Sequence, residues 1–109
     1  DQVPPDGQGA WVPFFGTPAY TMILVGRLAR QAGSEVLLLW CERLPGCRGH
    51  VIRVQDPPVP WPDSDDVDAW ARAVNQAMEH VIRQAPEQYL WGYNRYKKPR
   101  PQPAATEDA

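Results

Sequence analysis

The hydrophobic and polar positions in the first third of the chain predict an edge segment followed by a helix. An apolar run over residues 10–16 contains a proline, which lacks the N–H of a central strand, so we expect an edge strand or an extended loop. Thr17 and Pro18 follow as an N-cap residue and a first-turn proline. With Gly33 as a left-handed C-cap, this pattern predicts a helix over residues 18–32.

A continuous apolar run and then an alternating run predict a hairpin in the middle of the chain. Residues 35–43 hold the continuous run, which is typical of a strand covered on both faces. A turn at residues 44–49 leads to the alternating residues 50–55, which are typical of a second, antiparallel strand. Cys41 falls in the first strand and Cys47 in the turn, where a bridge between them would be strained, so we expect free thiols.

Apolar residues at helical spacing predict a second helix in the last third of the chain. The stripe runs from Val67 to Ile82, and we expect a cap from Ser64 or Asp65 and a stop near Gln84, before a proline. The order helix, strand, hairpin, strand, helix predicts an α/β fold. The opposite, polar face of the second helix carries Arg72, Gln76, Glu79 and Arg83.

Composition and charge narrow the functional classes. The 11 basic and 13 acidic residues give a net charge of −2, which excludes the overall positive surface typical of a duplex nucleic-acid-binding protein. The strongly apolar stretch from Val36 to Cys41 is far shorter than the roughly 20 residues that cross a bilayer, so we expect no spanning helix in this chain. The two cysteines and two histidines show no metal-ligand spacing, so we expect no metal site.

A basic and aromatic block near the C-terminus is the strongest candidate for binding chemistry. It could hold a phosphorylated or carboxylated head group, stack nucleobases, or lie at a membrane surface. It could equally be a solvated basic end whose rings pack back on the sheet, and the residues by themselves leave these alternatives open. Its cations are Arg95, Lys97, Lys98 and Arg100, and its rings are Tyr89, Trp91, Tyr93 and Tyr96.

Five short segments, taken in this order and at these separations, resemble one known family. They are Asp1-Gln2, the run Val12-Pro13-Phe14-Phe15-Gly16-Thr17-Pro18-Ala19-Tyr20-Thr21, Glu42-Arg43, Pro86-Glu87-Gln88-Tyr89-Leu90-Trp91, and Arg95-Tyr96-Lys97. The set is similar to the C-terminal part of the bacterial lipid A biosynthesis acyltransferases, the lauroyl and myristoyl transferases of the lysophospholipid acyltransferase superfamily. The resemblance implies the C-terminal portion of a mixed-sheet acyltransferase fold over residues 1–98. The composition of the end of the chain, rich in proline and alanine, predicts a disordered tail over residues 99–109.

The resemblance also implies a reaction and a place for it. Members of that family transfer a fatty acyl chain from acyl carrier protein to a hydroxyl of a lipid A precursor, in lipopolysaccharide biosynthesis. No cofactor is expected. The resemblance therefore implies that the protein acts at a membrane surface, on the cytoplasmic face of the bacterial inner membrane. It also implies that nucleic acid is not a partner. The alternatives are an acyltransferase for another lipid acceptor, or a non-catalytic module that binds an anionic lipid or a nucleic acid.

The catalytic signature of that family, His-x-x-x-x-Asp or Glu, is not found in this sequence. The residue five positions after His50 is Gln55, and the residue five positions after His80 is Ala85. In the family the signature lies N-terminal to the equivalent of Asp1, where this chain begins without a methionine. We therefore expect a fragment of an acyltransferase that is inactive by itself.

The resemblance places four residues of the first segments near the substrate. Asp1, a possible cleft residue, and Gln2 match a junction between a strand and a loop near the active site. Phe14 and Phe15 match the segment before a helix start, where their rings could line an acyl channel or pack in the core.

The remaining matches lie in the middle and at the end of the chain. Thr21 matches a threonine on a helix, whose hydroxyl could equally bond to its own backbone. Arg43 fits a cation at a strand end that meets a phosphate or a carboxylate, or that pairs with Glu42. A C-terminal lobe near the membrane and the sugar head group would contain Gln88, Trp91, Arg95 and Lys97.

Overall fold

The computed structural model describes residues 2–101, and these residues build two separate hairpins and two helices. Each hairpin is a two-stranded antiparallel sheet. The predicted α/β class is therefore confirmed. In chain order the elements are β1 (Gly9–Phe14), β2 (Thr17–Met22), α1 (Leu24–Ala32), β3 (Leu38–Arg43), β4 (His50–Gln55) and α2 (Val67–Gln84), with 3-10 turns at Pro45–Cys47 and Pro86–Gln88.

The first hairpin, β1 and β2, shows that the prediction of a helix over residues 18–32 is wrong at its start. Phe15 and Gly16 form the turn with φ angles of 48° and 81°, the left-handed conformations of a type I′ hairpin. This turn places Pro13 opposite Pro18, one step along the ladder. At that step the N–H positions point away from the partner strand, so two prolines fit there without losing a hydrogen bond.

Helix α1 therefore begins only at Leu24, and its N-cap residue, Ile23, makes no side-chain cap bond. Its C-terminal end is as predicted, because Gly33 caps it with a φ of 60°. Gly26 allows a close approach to α2, since a Cβ at this position would lie 2.3 Å from the Cγ of Trp70. The two helices thus touch at a point where α1 carries no side chain.

The second hairpin, β3 and β4, has the predicted antiparallel pairing, and β4 occupies the predicted residues. Strand β3 begins later than predicted, at Leu38, which is buried. On the opposite face Leu39, Ile52 and Val54 are 67%, 67% and 57% exposed. Coverage of both faces is therefore not found among residues 2–101. Both cysteines are free, as predicted, and both are exposed, although Cys41 was expected in a covered strand.

Helix α2 spans the predicted residues, but its cap is Asp66 rather than Ser64 or Asp65. The Asp66 carboxylate accepts the Asp68 N–H at 3.0 Å, which satisfies one of the first-turn donors. The Ser64 hydroxyl lies too early in the chain for this and accepts the Asp66 N–H at 3.4 Å. The helix ends at Gln84, as predicted.

The core lies between α2 and the first hairpin. One face of the helix covers the inward side chains of both strands, so most of the buried apolar surface belongs to these three elements. The buried residues form two clusters, Ala10, Val12, Ile23, Trp70 and Ala71 in one and Phe14, Ala19 and Ile82 in the other.

Two expectations concern the membrane and the chain end. Within residues 2–101, no helix has both the length and the apolar composition needed to cross a bilayer. Of the expected tail over residues 99–109, residues 102–109 lie outside the described part of the chain. The disorder of that tail stays a prediction.

Candidate functional site

The C-terminal segment, residues 89–98, folds back over the first hairpin and reaches the start of the chain. The hydroxyl oxygen of Tyr93 accepts the Val3 N–H at 2.9 Å. The ammonium group of Lys98 donates to the Pro4 carbonyl at 3.0 Å. Residues near both ends of the described chain therefore meet at one place.

A cavity of about 310 Å³ lies beside these contacts and is lined by Gln2, Tyr89, Leu90 and Tyr93. Its volume is at the lower end of the roughly 300–1,000 Å³ typical of small-molecule sites. The fold thus brings Gln2, a predicted site residue, next to the C-terminal segment, in which three other predicted site residues lie. The other early candidate, Asp1, lies outside the described residues.

Arg95 is buried, and this corrects its placement in an exposed basic block. Its side chain is held by inward-facing polar groups of the first hairpin and α2, and the residue is 4% exposed. The guanidinium donates to the Tyr20 carbonyl at 2.7 Å and to the Thr21 hydroxyl at 2.9 Å. It also donates to Asn75 Oδ1 at 3.1 Å. Burial lowers the pKa of Arg95, and nearby tyrosines oppose that change.

Thr21 and Asn75 complete this polar cluster. Thr21 is buried on β2 rather than on a helix, and its hydroxyl donates to the Ala19 carbonyl at 3.0 Å. The same oxygen accepts a hydrogen bond from Asn75 Nδ2 at 2.8 Å, and Asn75 also donates to the Pro13 carbonyl at 3.1 Å. Asn75 was not predicted as a site residue. It could have been recognised as a polar residue among the apolar positions on the buried face of an amphipathic helix, because a buried polar side chain needs hydrogen-bond partners.

Gln88 and Arg43 are brought together, although the side chain of one contacts the backbone of the other. The Oε1 of Gln88 accepts the Arg43 N–H at 2.8 Å, and its Nε2 donates to the Arg43 carbonyl at 3.0 Å. The expected alternative partner, Glu42, instead accepts a hydrogen bond from Arg53 at 2.6 Å. Gln88 thus fixes the end of β3, where Arg43 is exposed.

Phe14 and Phe15 are neighbours in sequence but have different surroundings. Phe14 is fully buried in the core, whereas Phe15 is half-buried at the turn. The Phe15 ring lies 6.0 Å from the ring of Trp91 and 4.9 Å from the guanidinium carbon of Arg83. Of the two phenylalanines, Phe15 is therefore the one that a ligand can reach.

The pKa values of the two tyrosines beside the cavity, Tyr89 and Tyr93, are shifted in opposite directions. The hydrogen bond from Val3 lowers the pKa of Tyr93, and Lys97, whose Nζ lies 5.2 Å from the Tyr93 ring, adds to this effect. Burial raises the pKa of Tyr89. Tyr93 is therefore the more acidic of the two hydroxyls, and Lys97 is an exposed cation next to it.

The described residues offer groups for binding rather than a metal centre. Among residues 2–101, no group of three or more histidine, cysteine, aspartate or glutamate side chains is placed to hold a metal ion. His50 begins β4 and His80 lies on α2, and both are exposed. The site therefore presents aromatic rings, side-chain amides and exposed cations around a small cavity.

Comparison with known proteins agrees with the resemblance seen in the sequence. The family model described as bacterial lipid A biosynthesis acyltransferase matches residues 1–98. Over 88 residues the chain is 33% identical to the lipid A biosynthesis lauroyltransferase of Escherichia coli (strain K12), an alignment that covers 80% of this chain and 28% of the relative. The chain thus spans less than a third of the length of that relative. Because the matching region includes both hairpins, both helices and the C-terminal segment, the chain belongs to the family of bacterial lipid A biosynthesis acyltransferases.

Proposed function

We propose that this chain supplies the C-terminal part of an enzyme that transfers a fatty acyl chain from acyl carrier protein to a hydroxyl of a lipid A precursor. The observation that carries the proposal is the family match over residues 1–98. In this proposal the base that takes the hydroxyl proton belongs to a histidine and acid pair outside this chain. Histidine is suited to that step because its pKa lies near neutrality.

Six of the candidate residues contact the substrate in this proposal. Gln2 and the unplaced Asp1 would orient the acceptor, while Phe15 and Trp91 would contact the acyl chain. Their position supports this, because Trp91 is exposed and its ring lies near that of Phe15. The exposed Arg43 and Lys97 would meet anionic groups of the acceptor.

Four other candidates act through the fold. Arg95 and Thr21 position the C-terminal segment on the first hairpin through buried hydrogen bonds. Gln88 positions the end of β3 through two bonds to the Arg43 backbone. Phe14 fills the core beneath the turn. Loss of any of these would move binding groups without removing one that touches the substrate.

The surface of the C-terminal segment supports contact with a membrane surface, which in this proposal is the cytoplasmic face of the inner membrane. Leu90 and Trp91 are adjacent in sequence and are 73% and 57% exposed, so they form an apolar pair on the surface of this segment. Tryptophan is enriched at the head-group level of membranes, and cations such as Lys97 are attracted to anionic lipid. These residues would contact the bilayer without spanning it.

The experiment uses a chimera in which the 88 aligned residues of this chain replace the matched part of the E. coli lauroyltransferase. The chimera is produced in a strain that lacks that enzyme. We expect lipid A from this strain to regain one acyl chain, measured by mass spectrometry. A chimera that is stably produced but leaves lipid A unchanged would contradict the proposal. Acylation of a different lipid in the same extracts would instead favour the alternative acceptor.

Single substitutions in the chimera test the assigned roles. Arg43→Gln should reduce acylation, whereas Arg48→Gln, a matched exposed arginine in the adjoining turn, should not. His50→Ala and His80→Ala should leave acylation intact, because the proposal places the base elsewhere. Loss of acylation in either histidine variant, with normal protein levels, would overturn that assignment.

A further inference from the structure

The outer face of the second hairpin, which is the face opposite to the buried Leu38, is apolar over two successive pairs of its ladder. Side chains alternate between the two faces of a strand, so Leu39 and Cys41 of β3 lie on this face together with their partners on β4, Val54 and Ile52. All four residues are exposed. Within residues 2–101, therefore, these two apolar pairs form one patch that no other element covers.

The ion pair of this hairpin lies on its inner face. Arg53 stands opposite Trp40 in the ladder, and its guanidinium binds the carboxylate of Glu42, two positions along from Trp40. An antiparallel sheet with one solvated face usually turns its apolar side chains to the core and its polar ones to water. This hairpin presents two apolar pairs to water instead, and an exposed patch of that kind is typical of a surface that contacts another part of a protein.

The hairpin is also open at its edges. In the described part of the chain its sheet consists of β3 and β4, so each strand has one edge without a neighbouring strand. An apolar face and open edges together allow a further strand or helix to pack on the hairpin. The continuous apolar run of residues 35–43 predicts coverage of both faces, and residues 2–101 supply it on the inner face alone.

The element that covers the outer face is sought first in the remainder of the sequence. Residues 102–109 contain no leucine, isoleucine, valine or aromatic residue, so they are poorly suited to an apolar patch. In the E. coli lauroyltransferase, by contrast, more than two thirds of the length lies outside the match with this chain. A longer acyltransferase therefore contains ample further structure to cover the face.

The start of the described chain lies near one end of this hairpin. Gln2 lines a cavity together with Tyr89, and the neighbouring Gln88 holds the backbone of Arg43, at the end of β3, by two hydrogen bonds. A segment that precedes Gln2 in a longer enzyme would therefore start near the Arg43 end of the hairpin. Because Arg43 is two positions along from Cys41, its side chain belongs to the same outer face.

We propose that the outer face of the second hairpin packs against the N-terminal part of the same acyltransferase. This inference rests on the proposed function, because that proposal makes this chain the C-terminal part of a longer enzyme. The contact would bury both apolar pairs and leave the exposed Arg43 at its rim. It would thereby place Arg43 beside the part of the enzyme to which the proposed function assigns the catalytic base.

The two cysteines provide a reporter and its matched control. Cys41 lies in the patch and Cys47 lies in the turn of the same hairpin, and both are exposed in this chain. A maleimide should therefore label both thiols of the isolated chain. In the chimera with the E. coli lauroyltransferase, we expect labelling of Cys41 to slow at least about tenfold relative to Cys47, because a covered thiol reacts only when the contact opens. Peptide mass spectrometry after brief labelling measures each cysteine separately.

A second experiment needs no fused chain. The part of the E. coli enzyme outside the match is produced together with this chain, which carries an affinity tag, and we expect the two to co-purify. Ile52→Glu should reduce the co-purified amount at least about tenfold, because it places a charge in an apolar contact. Val67→Glu makes the same change of charge at an exposed apolar residue of α2 and should not reduce it. Both variants should leave urea unfolding of the isolated chain nearly unchanged.

The outcomes separate this contact from other ways to cover the face. Equal labelling of Cys41 and Cys47 in a stably produced chimera would overturn the proposal, as would parts that do not co-purify or that Ile52→Glu and Val67→Glu affect equally. Protection of Cys41 in the isolated chain that rises with its concentration would overturn it in favour of a second copy, and protection by phosphatidylglycerol vesicles in favour of a membrane.

None of these measurements detects acyl transfer, so they are independent of the test of the proposed function. A chimera that protects Cys41 and leaves lipid A unchanged would support the contact and contradict the proposed function. A chimera that restores acylation while Cys41 stays as reactive as Cys47 would support the proposed function and overturn the contact.

Discussion

The two hairpins have the same construction and opposite surroundings. Each pairs two six-residue strands in antiparallel register. In the first hairpin the inward residues Val12 and Phe14 are buried beneath α2. In the second, Leu39, Ile52 and Val54 face solvent. The difference arises because α2 has one apolar face, and the first hairpin occupies it.

The comparison teaches that pairing and burial have separate causes. Strand pairing needs only a turn and two extended segments, and both hairpins have them. Burial needs a third element, and an isolated two-stranded hairpin is at best marginally stable in water. The first hairpin also has the buried Arg95 and the C-terminal segment above it, so its polar groups are satisfied as well as its apolar ones.

We expect the largest difference in stability between the two hairpins when one buried and one exposed apolar side chain are each truncated to alanine. Phe14→Ala removes a ring that is 2% exposed, and we expect it to lower the free energy of unfolding by about 3–5 kcal/mol. Ile52→Ala, at a residue that is 67% exposed, should change it by less than about 0.5 kcal/mol. Urea unfolding followed by circular dichroism measures both. Equal losses would show that the second hairpin is buried in solution.

Substitution of one buried and one exposed arginine should give a smaller difference in the free energy of unfolding. Arg95→Met removes three buried hydrogen bonds and leaves Thr21 and Asn75 short of a donor, so we expect a loss of about 2–3 kcal/mol. Arg53→Met, which breaks the exposed bond to Glu42 in the second hairpin, should lose at most about 1 kcal/mol. Urea unfolding again gives the values. If Arg95→Met were as mild as Arg53→Met, Arg95 would not hold the C-terminal segment.

The elements that the sequence predicted well have local signals. Helix α2 shows a full helical period with acidic residues at its start, and β4 alternates between two turns. Their bounds therefore follow from neighbours along the chain. Even the N-cap of α2, which was predicted one or two residues too early, lies among three adjacent residues that all favour this position, Ser64, Asp65 and Asp66.

Strand β2 was mistaken for a helix because its signal is ambiguous locally. A Thr-Pro pair suits a helix start and also an edge strand, and the pairing of Pro13 with Pro18 decides between them. Arg95 was placed on the surface for a similar reason. Its sequence neighbours are basic and aromatic, but the partners that bury it are Thr21 and Asn75, which lie 74 and 20 residues away. Neither outcome can be deduced from a window of sequence.

The smallest effect concerns Gln88, which joins the segment after α2 to the second hairpin. Gln88→Ala removes both bonds to the Arg43 backbone, and because the site is partly solvated we expect a loss of about 0.5–1.5 kcal/mol. The sharper readout is amide hydrogen exchange, which should quicken at Arg43 and leave the first hairpin unchanged. Gln88→Glu keeps the acceptor for the Arg43 N–H and should restore most of its protection, whereas Gln84→Ala, at an exposed glutamine on α2, should have no effect there. If Arg43 exchanged at the same rate in Gln88→Ala, the second hairpin would be held by its own pairing alone, and the contrast between the two hairpins would be greater than the structure indicates.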